Sequence, residues 1–152
     1  MSGTSRKRVR SQALGLLAAA LLLTSPGCGD LSNDELNRGV ESLSALAAQG
    51  QLVANGVARD ATKTTYARAM ARTLGEEAEH EAEKLADATL EESETEDQRH
   101  AAVAVAGEIS DLLSELQTFP GDERHGELVE KHLEEAQEKA DAIVAQLSGD
   151  AP

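Results

Sequence analysis

The sequence predicts an all-α fold, an up-down-up-down four-helix bundle that follows an N-terminal leader. Three observations carry that prediction. No stretch after residue 28 alternates apolar and polar residues in the manner of a strand. Apolar residues instead recur at alternating spacings of four and three, the seam of helices packed nearly parallel or antiparallel. The breaks between the runs are short, which sets successive helices antiparallel.

The elements follow in order. Residues 1–27 divide into a basic segment with Arg6, Lys7, Arg8 and Arg10, an apolar tract over 13–23, and the small-residue stretch TSPG over 24–27. This is the layout of a secretory signal, and the tract is too short to span a bilayer, which takes about 20 residues. Residues 28–32 form a tether, and the bundle is expected over 33–148. Ser32 with Glu35 makes a capping box ahead of the run Leu36, Val40, Leu43, Ala47, Gly50, Ala54 and Val57, with Asn55-Gly56 and residues 60–65 marking its loosening end. A second helix is expected from about Thr62 to Leu90, with Tyr66, Met70, Leu74, Ala78 and Leu85 as its apolar stripe. The acidic connection over 90–97 offers Ser93 and Thr95 as competing caps for a third helix whose seam is Val105, Ile109, Leu112, Leu116 and Phe119. A Pro-Gly turn and a cap at Asp122 open the fourth, with Val129, Leu133, Ala136, Ala140, Ile143 and Leu147 facing inward. Residues 149–152 form a tail expected to fray.

Composition sets the character of the core. The chain has 152 residues, enough for one domain, and 40% are hydrophobic against 28% charged, a globular balance. It has one Tyr, one Phe and no Trp, so burial falls to Leu, Val and many Ala. A shallow core with closely approaching helices and modest stability follows.

Charge is uneven. The chain carries −14, no acid precedes Asp30, and the four leader cations mask a remainder of −18. Such a body repels nucleic acid and anionic membrane surfaces, and nucleic acid is excluded as a partner of the folded part. Most of the acidity is read as solvated surface.

Nucleophile–histidine–acid sets, phosphate-binding glycine loops and paired zinc cysteines are missing from the sequence, so no enzyme is expected. The remaining chemistry is histidine beside acid. Glu77 and His80 form Glu-x-x-His, which puts both on one helical face, and Asp97–His100 and Asp122–His125 repeat the spacing. Helical projection sets Glu81 within the apolar stripe, Glu77 near its edge and His80 outside it. An inward carboxylate needs a partner, a proton or a metal unless water reaches it. His125 and His132 share a flank of the fourth helix. Glu77, His80, Glu81 and His132 are therefore the candidate metal ligands, and no other cofactor is indicated.

Two resemblances extend this reading. The apolar run ending in Ser25, Pro26, Gly27 and Cys28, the only cysteine, resembles the lipobox of bacterial lipoproteins, although that motif more often has Leu and a small residue where Ser25 and Pro26 stand. The resemblance implies that Cys28 carries a diacylglyceryl group and becomes the first residue of the mature chain. Multiple acyl chains make such anchoring stable. Gly29 follows the cysteine, with Asp30 one place later, and this leans toward the outer membrane, facing the periplasm. ARDATKTTYARAMA (58–71) resembles the start of the second helix in a ferritin-like family of small predicted outer-membrane proteins of unknown function, with Tyr66-Ala67 and Met70 in the family's places. Thr73-Leu74 stands where that family has an acid–His pair. The expected function is a membrane-tethered, non-catalytic interaction or structural module with a protein partner in the envelope; the alternative is a ferritin-like metal-binding bundle.

Overall fold

A computed structural model describes residues 32–88 and 95–149. Four helices follow one another: α1 (Asn33–Ala58), α2 (Thr64–Ala86), α3 (Glu96–Thr118) and α4 (Glu123–Leu147). The expected all-α bundle is the observed architecture, with α1 packed most extensively on α4 and α2 on α3. The α3–α4 and α1–α2 seams are looser, α1 and α3 meet across one diagonal, and α2 and α4 stand at opposite corners.

Polar contacts between helices record the antiparallel register. Along the α1–α4 edge Ser44 donates to Asp141 at 2.7 Å, Gln51 to Gln137 at 2.8 Å and Asn55 to Glu130 at 2.6 Å. Numbers rise on one helix as they fall on the other. The same holds for α2 and α3, where Arg99 reaches the Leu85 carbonyl and Ser110 reaches Glu79.

The core is aliphatic and small. Leu36, Val40, Leu43, Leu74, Leu85, Ile109, Leu113, Leu116 and Leu133 supply its bulk, and nine alanines are buried among them. The expected seam of α1 is buried throughout. Close approach shows most plainly at Gly126 on α4. A Cβ there would lie 2.6 Å from the Ala58 nitrogen and 2.9 Å from the Ala54 carbonyl oxygen, so the backbone of α1 occupies the place of a side chain.

Caps match the sequence at two of three starts. Ser32 and Glu35 form the capping box, and Asp122 accepts the His125 N–H at 3.0 Å. Thr95 holds the position before α3 with no side-chain capping bond, while Ser93 lies outside the described residues. The second helix is shorter than expected at both ends, because residues 59–63 form the turn and Asp87 ends α2. Asn55-Gly56 does not loosen α1: the helix runs on to Ala58, and the following turn folds back so that Ala61 and Thr62 both donate to the Gly56 carbonyl. Asp60 adopts φ 48° within that turn, a left-handed conformation that Asp tolerates better than most residues.

Phe119 and Tyr66, expected in the seams, are 45% and 57% exposed. On α2 Leu74, Ala78 and Leu85 are buried as expected, but in the first two turns Ala67 and Ala71 face the core in place of Tyr66 and Met70. Small side chains bring the helix close to its neighbours, and the larger Tyr66 and Met70 are displaced to its shoulder.

Candidate functional site

Three of the four candidate ligands share one place. Glu77, His80 and Glu81 line a groove of about 440 Å³ between α1 and α2, together with Ser42, Leu46, Thr73 and Glu76. The looser α1–α2 seam leaves this groove open to solvent. Glu77 and His80 are exposed on its wall, whereas Glu81 reaches inward with its side chain only 18% exposed. Glu81 is not left unpartnered, because Lys84 Nζ approaches its Oε2 at 3.4 Å. Water and a lysine thus answer the demand that an inward carboxylate makes.

His132 is elsewhere. It is exposed on α4, at the corner opposite α2, and does not join the other three. No group of three or more His, Cys, Asp or Glu side chains converges on a metal-sized position among the described residues. Helical projection located Glu81 correctly, but no spacing rule on one helix reports which corner of a bundle a second helix will occupy.

The histidine with the most surroundings is His125. Its ring stacks on Phe119 with centroids 4.3 Å apart and planes at 23°. Its Nδ1 lies 3.2 Å from Asp122 Oδ1, and its Nε2 lies 3.7 Å from Glu115. The first contact is close but not aligned as a hydrogen bond, for that carboxylate oxygen accepts the backbone N–H of His125. This backbone bond, aided by the imidazole, holds the Asp122 carboxyl below its ordinary range. His100 sits exposed in the first turns of α3, 3.2 Å from Glu96.

Sequence reasoning missed Arg99. Its side chain is 10% exposed, and Nη1 donates to the carbonyls of Leu85 and Ala86 at 2.9 and 3.1 Å, while Nε and Nη2 hold Glu96. One guanidinium therefore satisfies the last carbonyls of α2 and ties them to the start of α3. An Arg one helical turn from an acid looks like an ordinary surface pair in sequence; only the return of the chain buries it.

Cys28 lies outside the described residues, which begin at the Ser32 cap. No helix among the described residues is long and apolar enough to cross a membrane.

Fold and site together define an acidic, Ala-rich four-helix bundle with a shallow groove along α1 and α2. Compared with known proteins, the chain matches no family model, no curated protein and no solved structure.

Proposed function

We propose that this protein is a lipid-anchored envelope module that binds or supports other components and performs no catalysis. It is held at the periplasmic face of a bacterial membrane, the outer one by the residues after Cys28. The observation that carries this reading is the basic, apolar and small-residue sequence that ends at Cys28, four positions before the first cap of the bundle. A four-residue tether extends no more than about 14 Å. The N-terminal end of α1 would therefore sit close to the bilayer, with the α1–α2 and α3–α4 turns pointing away. The aliphatic core and the surface of charged pairs at helical spacing, such as Arg72–Glu76 and Lys131–Glu135, suit a scaffold that presents its faces to partners.

Labelling tests the anchor. The wild-type chain, produced in a bacterium that processes lipoproteins, is expected to incorporate radiolabelled palmitate and to sediment with membranes. Cys28→Ala is expected to lose the label. Equal label in the two proteins, or none in the wild type, would overturn the reading. The label is the decisive readout because an uncut apolar leader could also retain a chain at the membrane.

A further inference from the structure

Residues 42–58 of α1, seventeen in a row, carry no charge, in a chain of which 28% is charged. Much of this stretch faces the core or a neighbouring helix, but Ala45, Gln49 and Leu52 are exposed, and Ala48 and Gly56 are half-buried. At about 100° per residue these five project from the side of α1 opposite its buried Leu43, Ala47, Gly50 and Ala54. Leu52 stands near the middle of that face and is 76% exposed, more than any other large apolar side chain among the described residues. Tyr66, 57% exposed, borders the face. It precedes Thr73 by seven residues and so shares its flank of α2, the flank that lines the groove with Leu46 of α1. One exposed Leu is ordinary on a surface. The loss of every charge around it, over more than four turns of helix, is not.

Copies held on one membrane meet under a constraint. With Cys28 as anchor, the lipid lies four positions before the Ser32 cap, and the acidic body stands off from anionic lipid. Neighbouring copies then keep their N-terminal ends at one surface, and their α1 helices point the same way. A closed pair has its two-fold axis along the membrane normal, which sets each residue at the contact against its own copy. Under that symmetry a charged face opposes like with like, and repulsion follows. The other helices incur it: α2 exposes Glu76 and Glu83, α3 Asp111 and Glu115, and α4 Glu134 and Glu138. The outer face of α1 escapes it over residues 42–58. Nearer the membrane the same face carries Asp34, Arg38 and Glu41, which are mixed in sign.

We infer that the outer face of α1 is the contact between two parallel copies of this chain on one membrane, with Ala45 and Leu52 beside the two-fold axis. These two residues are seven apart, the interval at which a helix returns to the same line of a parallel partner. Leu52 packs on its own copy, Ala48, Gln49 and Gly56 flank the line and allow close approach, and Tyr66 lies at the rim. The contact is one helix wide and falls in the low size class, below about 1,200 Å² in total. Confinement to a membrane supplies the effective concentration that so small a contact needs. The parallel orientation rests on the Cys28 anchor; the uncharged character of the face does not.

The test is disulfide trapping in membranes of a bacterium that processes lipoproteins. Ala45→Cys, Leu52→Cys, Arg68→Cys and Glu134→Cys are made singly in the full chain, and copper–phenanthroline is added as oxidant. All four positions are exposed, so the core is undisturbed. A disulfide needs Cβ atoms about 4 Å apart, and only a parallel pair brings residues 45 and 52 both against their own copies. Each of those two variants is expected to give about tenfold more covalent dimer, or better, than Arg68→Cys or Glu134→Cys. Trapping at only one of the two, at neither, or equally at all four positions would overturn the inference. Leu52→Glu sets like charges beside the axis and should lower the Ala45→Cys dimer by about tenfold. An undiminished yield would overturn the inference too. The anchor is read separately. A lipidated Cys28 has no free thiol, so the chain without an added cysteine should give no dimer. A dimer there, or no palmitate label, would strike the anchor, while dimer at 45 and 52 above that background would still show the α1 contact. Label without trapping at 45 and 52 would strike the contact alone.

Discussion

At the scale of single residues, Gly126 shows how small side chains set the geometry of this core. The α1 backbone passes so near that a methyl group at residue 126 would overlap the Ala58 nitrogen and the Ala54 carbonyl. Those atoms belong to a helix rather than to a flexible side chain, so relief requires α1 and α4 to separate near the α1–α2 turn. Gly126→Ala gains helix propensity of about 1 kcal/mol at most. Forcing apart a packed pair costs about 1–3 kcal/mol. The strain should win, and chemical denaturation should show a lower midpoint with an unchanged slope. At Gly107 a Cβ would meet nothing within 4 Å, so Gly107→Ala isolates the propensity gain and is expected to raise the midpoint. A stabilised Gly126→Ala would show that α1 and α4 have slack at their contact.

At the scale of elements, the decisive junction is the passage from α2 to α3. The end of α2 leaves its last carbonyls without helical partners, and Arg99 brings donors to two of them from the start of the next helix. Hydrogen bonding to Arg99 holds the Glu96 carboxyl below its ordinary range, and the bonds to Glu96 raise the guanidinium in turn. Arg99→Ala removes every one of these contacts and should destabilise the bundle by about 1–3 kcal/mol. Arg99→Lys should recover only part of the loss, because an ammonium lacks the planar fork that bonds carbonyls and a carboxylate together. Full recovery by lysine would reduce the role of Arg99 to its charge. The same junction marks what was legible in the sequence. Spacings of three and four identified the inward residues of α1 and most of α3 and α4, because those residues face the core whatever their neighbours do. On α2 the spacing identified Leu74, Ala78 and Leu85 but missed Ala67 and Ala71 by one residue, since alanine carries too little hydrophobic signal to outweigh Tyr66 and Met70. The groove residues Glu77, His80 and Glu81 were legible as one face, whereas the remoteness of His132 and the burial of Arg99 depend on how helices are arranged around the bundle.

At the scale of the whole molecule, a charge of −14 works against compactness, and three hydrogen-bonded carboxyls tie stability to pH. Acids crowd the C-terminal half of α2, where Glu76, Glu77, Glu79, Glu81 and Glu83 share Lys84 and, from one turn earlier, Arg72 as cations. The mutual repulsion of these acids is greater in the compact state than in the unfolded chain, so screening it should raise stability at pH 7. Three other carboxyls set the acid response. Bonds to Ser32 depress Glu35, the bond to Arg99 depresses Glu96, and the His125 N–H depresses Asp122. A depressed carboxyl contributes stability above its unfolded value and loses it as pH falls through its folded one. The unfolded chain binds these protons first, so the loss begins below about pH 4, the ordinary carboxylate range. Thermal unfolding should therefore give a lower midpoint at pH 3 than at pH 7. Salt acts on the repulsion instead: 150 mM NaCl, with a Debye length of about 8 Å, should raise the midpoint at pH 7. A midpoint at pH 7 that ignores salt would show that repulsion has no governing part, and one unchanged between pH 7 and pH 3 would show that the caps do not set the acid response.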